Sequence, residues 1–255
     1  MVKLYENERL DEVNDRLSLI QKTDGLTFGT DALLLAGYMS GGHKIGCELG
    51  GGSGIISMLL LTREKIKRCD CVEIQNEYAE LIARNAELNS LSDRLFPINS
   101  DIRELPNDAK YDTVYTNPPY MKTDSGYKNS ASKKNVARHE VFGTIDDFCQ
   151  KTSKILSYGG SFFAVYRPDR LCDLIAALRD NKLEPKRITF VHARRDSEAS
   201  MVLIEARLGG GVGAYLTRPL IIYDEDKYTT DMSYIMENGS FPDDFYKKTK
   251  QGKTV

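Results

Sequence analysis

Between residues 44 and 62 an apolar run, a glycine turn and a second apolar run follow one another without a break. Lys44-Ile45-Gly46-Cys47-Glu48-Leu49 has the length and content of a buried strand, and 55–62 predicts an apolar helix. Gly50-Gly51-Gly52-Ser53-Gly54 joins them. Glycine permits a sharp turn and lets a ligand lie against the backbone with no Cβ in the way, so Gly50, Gly52 and Gly54 point to ligand binding. The pattern then recurs. A second strand is expected at 68–73, followed by a helix over 76–89 with Tyr78, Leu81, Ile82, Asn85 and Leu88 at helical spacing. Further strands fall near 94–99 and at 111–116. Such alternation predicts an α/β fold, a mostly parallel twisted sheet covered on both faces. Ligands in these sheets bind beyond the carboxyl ends of the strands, where the strand order reverses.

Residues 1–40 read as an N-terminal extension, with Leu17, Leu19 and Ile20 in a short strand. Thr30 or Asp31 is expected to cap a helix over 32–39 that Gly41-Gly42 breaks. Beyond 116, the segment 121–139 is long and polar, with Lys122, Lys128, Lys133, Lys134 and Arg138 against one acid, Asp124. Loops that long inside compact domains are usually functional or disordered. Thr144 and Asp147 form a capping box opening a helix with Phe148, Thr152, Ile155 and Leu156 on one face, which Gly159-Gly160 ends. A strand at 161–166 and a helix from Pro168 follow. Strands at 187–193 and 200–208 have no helix-length stretch between them, which predicts a closing antiparallel pair. Residues 41–208 thus form the core, and 209–255 an extension with a short edge element at 219–223 and a solvated tail bearing Lys247, Lys248, Lys250 and Lys253.

Net charge narrows the partners. With 35 basic and 37 acidic residues the chain is no polycation, so any nucleic-acid contact must come from a local patch. The five cysteines are an odd set, and Cys69-x-Cys71 has the wrong spacing for a zinc knuckle; buried reduced thiols and no metal site are expected. The start lacks an apolar leader region, and no apolar run nears about 18 residues, so a cytoplasmic protein without a membrane span is expected.

The glycine turn lacks the third small residue of the dinucleotide fingerprint, since Ile55 stands there, and this counts against NAD or FAD. Glu48 would repel a pyrophosphate but attract an ammonium group such as the amino end of methionine. At the end of the second strand Glu73, with Ile74 beside it, is placed to accept hydrogen bonds from a ribose diol. After the third strand, Asp101 offers a carboxylate to an adenine amine, and Ile102 an apolar wall to its ring. Methionine, ribose and adenine together make S-adenosylmethionine, with S-adenosylhomocysteine as its product.

The fourth strand ends in Asn117-Pro118-Pro119-Tyr120. Proline fixes its own φ, lacks an N–H and keeps the residue before it extended. The Asn117 amide oxygen and the Pro118 carbonyl can then converge on one external NH2 group, with Asn117 also expected to border the cofactor and Tyr120 free to stack on a planar partner. That arrangement suits adenine, cytosine, guanine or a glutamine amide.

On these motifs the chain, over roughly residues 28–208, resembles the class I S-adenosylmethionine-dependent methyltransferases. The resemblance implies a Rossmann-like fold with a seven-stranded, mostly parallel sheet and a terminal antiparallel strand. Phe28-Gly29-Thr30-Asp31, Ala137-Arg138-His139-Glu140 and Pro219-Leu220-Ile221-Ile222-Tyr223 are similar to segments of the tRNA1(Val) (adenine(37)-N6)-methyltransferase family. That family implies a tRNA partner and N6-methylation of the adenine beside the anticodon, with no obligate protein partner. Lys122, Lys128, Lys133, Lys134 and Arg138 are then expected on phosphates, with His139 a further RNA contact. Glutamine-N5 methylation of a protein uses the same Asn-Pro-Pro-Tyr chemistry, and rRNA or DNA amines are further alternatives. The glutamine enzymes carry a helical N-terminal domain for which residues 1–40 look too short.

Overall fold

The computed structural model describes residues 3–25, 27–118 and 143–246. Its centre is a nine-stranded sheet. The seven long strands are β3 (His43–Leu49), β4 (Ile66–Glu73), β5 (Leu95–Asn99), β6 (Tyr111–Thr116), β7 (Leu156–Tyr166), β8 (Leu183–His192) and β9 (Ala199–Leu208). They lie in the order β5-β4-β3-β6-β7-β9-β8. Only β9 runs against its neighbours, so the sheet is the expected mostly parallel one. The closing pair differs in one respect from a simple terminal hairpin. β9 inserts between β7 and β8, so β8 is the outer member and is capped by two-residue strands, β10 (Tyr215–Leu216) and β11 (Leu220–Ile221).

The chain leaves β3 in one direction for β4 and β5, then returns to β3's other side for β6 and β7. The order therefore reverses between β3 and β6. Both strands are buried at that point, and the glycine turn and Asn117 emerge side by side there.

Helices α1 (Thr30–Tyr38), α2 (Ile55–Thr62) and α3 (Asn76–Leu88) cover one face, while α4 (Ile145–Ile155) and α5 (Leu171–Asp180) cover the other. α2 is apolar all round because it is buried all round; Ile55 through Leu61 are each shielded from solvent. α4 has the predicted capping box, in which Thr144 Oγ1 accepts from the Asp147 N–H and the Asp147 carboxylate accepts from the Thr144 N–H.

Several expected boundaries move. α4 stops at Ile155, and Leu156 already belongs to β7 rather than to the helical face. The Gly159-Gly160 pair lies inside that strand, where β6 and β7 shift register. α1 begins at Thr30 with Gly29 at its N-cap, so neither Thr30 nor Asp31 caps it. Four cysteines are buried and free, whereas Cys172 is exposed.

The two extensions are more structured than the sequence pattern suggests. β1 (Glu8–Asn14) and β2 (Leu17–Lys22) form a separate antiparallel hairpin. Buried Asn85 of α3 fastens it, accepting from the Ile20 N–H at 2.7 Å and donating to the carbonyls of Ile20 and Ser53. Hairpin and glycine turn thus share one amide. At the other end, α6 (Thr230–Asn238) and the segment after it place Phe241 and Phe245 against α1, with the Tyr38 and Phe241 rings 5.4 Å apart. Arg187 of β8 is buried between the Tyr38 and Tyr246 rings and pairs with Glu205 at 3.0 Å. Among the described residues no helix is long and apolar enough to cross a membrane.

Candidate active site

A cavity of about 430 Å3 opens at the reversal point. Its walls are the glycine turn, the start of α2, the segment Thr27 to Ala32, and Glu48, Asn117 and Pro118. Small-molecule sites usually enclose about 300–1,000 Å3. Among the described residues, further cavities of about 580 and 460 Å3 lie beside the β1–β2 turn and around Arg218, away from the carboxyl ends of β3 and β6.

The turn owes its path to backbone that other residues resist. Gly50, Gly52 and Gly54 have φ of +77°, +54° and +81°. A Cβ on Gly52 would meet nothing within 4 Å, so this face of the turn stands open to a ligand. Gly51, which no spacing argument singled out, is the tightest position: a Cβ there would lie 2.2 Å from Cys71 Sγ. Its glycine lets β4 pack directly under the turn.

Glu48 lines the cavity but is almost wholly buried, and its Oε2 accepts from the N–H and the hydroxyl of Ser57. The Ser57 hydroxyl also meets Tyr115 Oη at 2.8 Å, and Cys69 Sγ joins them. Burial pushes the Glu48 carboxyl up to about 7, against the pull of the Ser57 hydrogen bonds. Burial likewise pushes the Cys69 thiol up to about 12, which leaves no thiolate for nucleophilic chemistry.

The raised Glu48 pKa has a consequence for stability. Between about pH 4.5 and 7 the folded protein keeps a proton on Glu48 that the unfolded chain has released, so this group makes stability fall as pH rises through that window. Urea unfolding at pH 5 and 7.5 is expected to show a contribution of about 1–3 kcal/mol that Glu48→Gln removes. Parallel pH profiles for the two proteins would contradict it.

Glu73, at the end of β4, is also buried. Its Oε2 accepts from the Gly52 N–H and its Oε1 from the Gln75 N–H, both at 2.9 Å. Each oxygen retains a lone pair for a further donor. Ile74 follows it, half-buried, with its carbonyl held by Asn99 Nδ2 at 3.1 Å. Asp101 is engaged by Arg103: Oδ1 accepts from that residue's N–H and Nε, and the guanidinium holds the carboxyl below its ordinary value. Ile102 is buried in the single helical turn that follows. Glu73, Ile74, Asp101 and Ile102 lie outside the walls of the 430 Å3 cavity.

Thr116, the last residue of β6, ties the two strand ends by donating its hydroxyl to the Leu49 carbonyl at 2.7 Å. Asn117 follows. Its Nδ2 donates to Asp31 Oδ2 at 2.8 Å, whereas its Oδ1 is buried and has no hydrogen-bond partner among the described residues. Pro118 is buried beside it. Pro119, Tyr120, Lys122, Lys128, Lys133, Lys134, Arg138 and His139 lie outside the described residues. Asp31, which the sequence offers only as an alternative to Thr30 for a helix cap, stands on the cavity wall and binds the Asn117 amide.

The strand order, the glycine turn after β3 and an Asn-Pro pair at the end of the adjacent strand define a methyltransferase of the class I fold. The chain belongs to the methyltransferase small-domain family, whose model matches residues 23–173. It is 26% identical over 194 residues to the tRNA1(Val) (adenine(37)-N6)-methyltransferase of Flavobacterium johnsoniae, covering 74% of this chain and 81% of that protein. A protein of the same name from Porphyromonas gingivalis is 27% identical over 202 residues, with 75% and 78% covered. Among solved structures, a predicted O-methyltransferase from Agrobacterium tumefaciens has the same fold, with a TM-score of 0.69 at 23% identity over 83% of this chain and 98% of that one.

Proposed function

We propose that the protein transfers a methyl group from S-adenosylmethionine to N6 of an adenine in tRNA, at the position beside the anticodon of valine tRNA. One observation carries the amine chemistry: a buried acceptor, Asn117 Oδ1, with no partner among the described residues, at the strand end that adjoins the glycine turn. An unmade hydrogen bond on a buried group costs about 1–3 kcal/mol, and a substrate N–H restores it. The names of the relatives favour adenine in tRNA over other amines.

The residues fit the cofactor. The open face of the turn at Gly52 and the acids Glu48 and Glu73 suit its methionine and ribose; Ile102 and Asp101 are the expected adenine contacts, for which Arg103 has to release an Asp101 oxygen. When bound, S-adenosylmethionine supplies an electrophilic methyl group. Asn117 Oδ1 and the Pro118 carbonyl hold the two amine hydrogens of the substrate, which turns the nitrogen lone pair away from the ring system and towards the cofactor side. Asn117 takes no proton, because an amide is no base at neutral pH; its dipole favours the positive charge that grows on nitrogen, and the methylated nitrogen then gives its extra proton to water. Placement of the reacting pair then supplies much of the acceleration, up to about 7–11 kcal/mol in favourable cases. Tyr120 stacks on a base that has left its neighbours, which is easier in an anticodon loop than in a duplex. Lys122, Lys128, Lys133, Lys134 and Arg138, next in the chain, supply phosphate contacts, with His139 beside them. A cytoplasmic location goes with a tRNA substrate.

The deciding experiment is transfer of labelled methyl from S-adenosylmethionine to total tRNA, followed by nucleoside analysis. N6-methyladenosine in the valine fraction is expected. Labelled protein with unlabelled RNA would replace this reading with glutamine methylation.

A further inference from the structure

We propose that Asp31 is a positioning residue of the transfer site: it holds the Asn117 amide in the orientation that turns Oδ1 to the substrate amine. The inference rests on the amine-methylation reading and adds to it a residue 86 positions away in the chain.

The two ends of a side-chain amide are nearly equal in shape and opposite in hydrogen bonding. At the end of β6 nothing in the strand itself chooses between them. Asp31 makes the choice. Its Oδ2 accepts from Asn117 Nδ2 at 2.8 Å, and its Oδ1 accepts from the Ala32 N–H at 2.9 Å. The carboxylate is thereby pinned at the first turn of α1, where the helix dipole favours an anion. A carboxylate only accepts, so the flipped amide would set Oδ1 against Oδ2, two acceptors face to face. With Nδ2 committed, Oδ1 is the end left for a donor, and it is buried with no partner among the described residues. Both residues line the same cavity.

The segment that leads into α1 is anchored from outside the sheet. The Phe28 N–H donates to Oε1 of buried Gln21, on β2, at 2.9 Å. The N-terminal hairpin thus anchors the approach to α1, whose first turn carries Asp31.

The test uses the full chain with Asp31→Leu and the near-isosteric Asp31→Asn, each in wild-type and Asn117→Ala backgrounds. The readouts are kcat and KM on a tRNA transcript and the calorimetric Kd of S-adenosylhomocysteine. Asp31→Leu is expected to lower kcat by about 10- to 100-fold, as misplacement at a transfer site does. Its Kd and KM should be little changed. Asp31→Asn can keep its one acceptor facing Nδ2, with its NH2 turned to the Ala32 N–H, and should recover part of the lost rate. In the Asn117→Ala background Asp31→Leu should cost nothing more, because the residue acts through the amide. A Kd that rises in step with the lost rate would make Asp31 a cofactor contact and overturn the proposal. So would an unchanged kcat in Asp31→Leu, or losses that add in the double variant. A second measurement needs no turnover: the side-chain amide 15N–1H signals of Asn117, assigned by their absence in Asn117→Ala. They should lie at hydrogen-bonded shifts in wild type and Asp31→Asn, and move in Asp31→Leu. If wild type methylates no tRNA, the substrate reading fails while this measurement still decides the Asp31–Asn117 contact; unmoved signals would overturn it.

Discussion

Asn117→Ala is expected to lower kcat for methyl transfer by about 10²–10³-fold, the usual effect of deleting one preorganised polar group at a developing charge. The exocyclic amine of adenine is a weak nucleophile because its lone pair is shared with the ring. Its reactivity therefore depends on acceptors that hold the hydrogens elsewhere. Truncation at Asn117 removes Oδ1 and leaves the Pro118 carbonyl, so one of two acceptors is lost. It also frees Asp31, whose Oδ2 then lacks its 2.8 Å donor. Thr116 still ties β6 to β3, and the glycine turn keeps its support from Glu73, so the cofactor side of the cavity stays in place. Cofactor affinity should accordingly change little. Single-turnover transfer to tRNA and calorimetric binding of S-adenosylhomocysteine measure the two quantities separately. A fall in affinity as large as the fall in rate would place Asn117 in the cofactor site instead.

What the chain discloses on reading and what it hides divide along physical lines. The strand ends of the sheet are legible because a parallel strand is buried on both faces, so 44–49 and 111–116 stand out as apolar runs stopped by glycine or proline. The same logic misjudges β7: Gly159-Gly160 looks like a helix stop, yet the helix has ended at Ile155 and the glycines sit within the strand. β1 carries Glu8, Arg9, Asp11, Glu12 and Asn14 with little alternation, because this hairpin strand is largely exposed. α6 buries only Met232 and Ile235, too few to show a helical period. Charge alone suggests a ligand ammonium for Glu48, and the fold puts its side chain on the cavity wall. Its tie to Ser57 is hidden, since a serine within an apolar helix shows nothing of what its hydroxyl meets. Least legible of all is Asp31 with Asn117. The contact joins a helix start to a strand end through a fold, and no local pattern encodes it.

Glu73→Ala is expected to weaken cofactor binding by about 10²-fold, on the order of 3 kcal/mol, while kcat at saturating cofactor stays near wild type. The carboxylate stands where β4 ends and joins two neighbouring backbone segments, accepting the Gly52 N–H from the turn after β3 and the Gln75 N–H from the turn before α3. Hydrogen bonds to a charged acceptor are worth about 1.5–3 kcal/mol each. Alanine would leave the Gly52 amide without that partner at a position where φ is +54°, and the turn would lose its fixed path. The hydroxyls of a bound ribose would lose their acceptor in the same step. Glu73→Gln separates these roles. Its single oxygen can still take one backbone N–H, but its NH2 would face the other donor, so only part of the affinity should return. Loss of the turn alone would appear as a lower Tm with unchanged Kd, and that outcome would confine Glu73 to supporting the loop. A higher Kd with rate preserved at saturation is the opposite signature to that of Asn117→Ala. Together the two variants would divide the site between β4, which holds the methyl donor, and β6, which aims the amine.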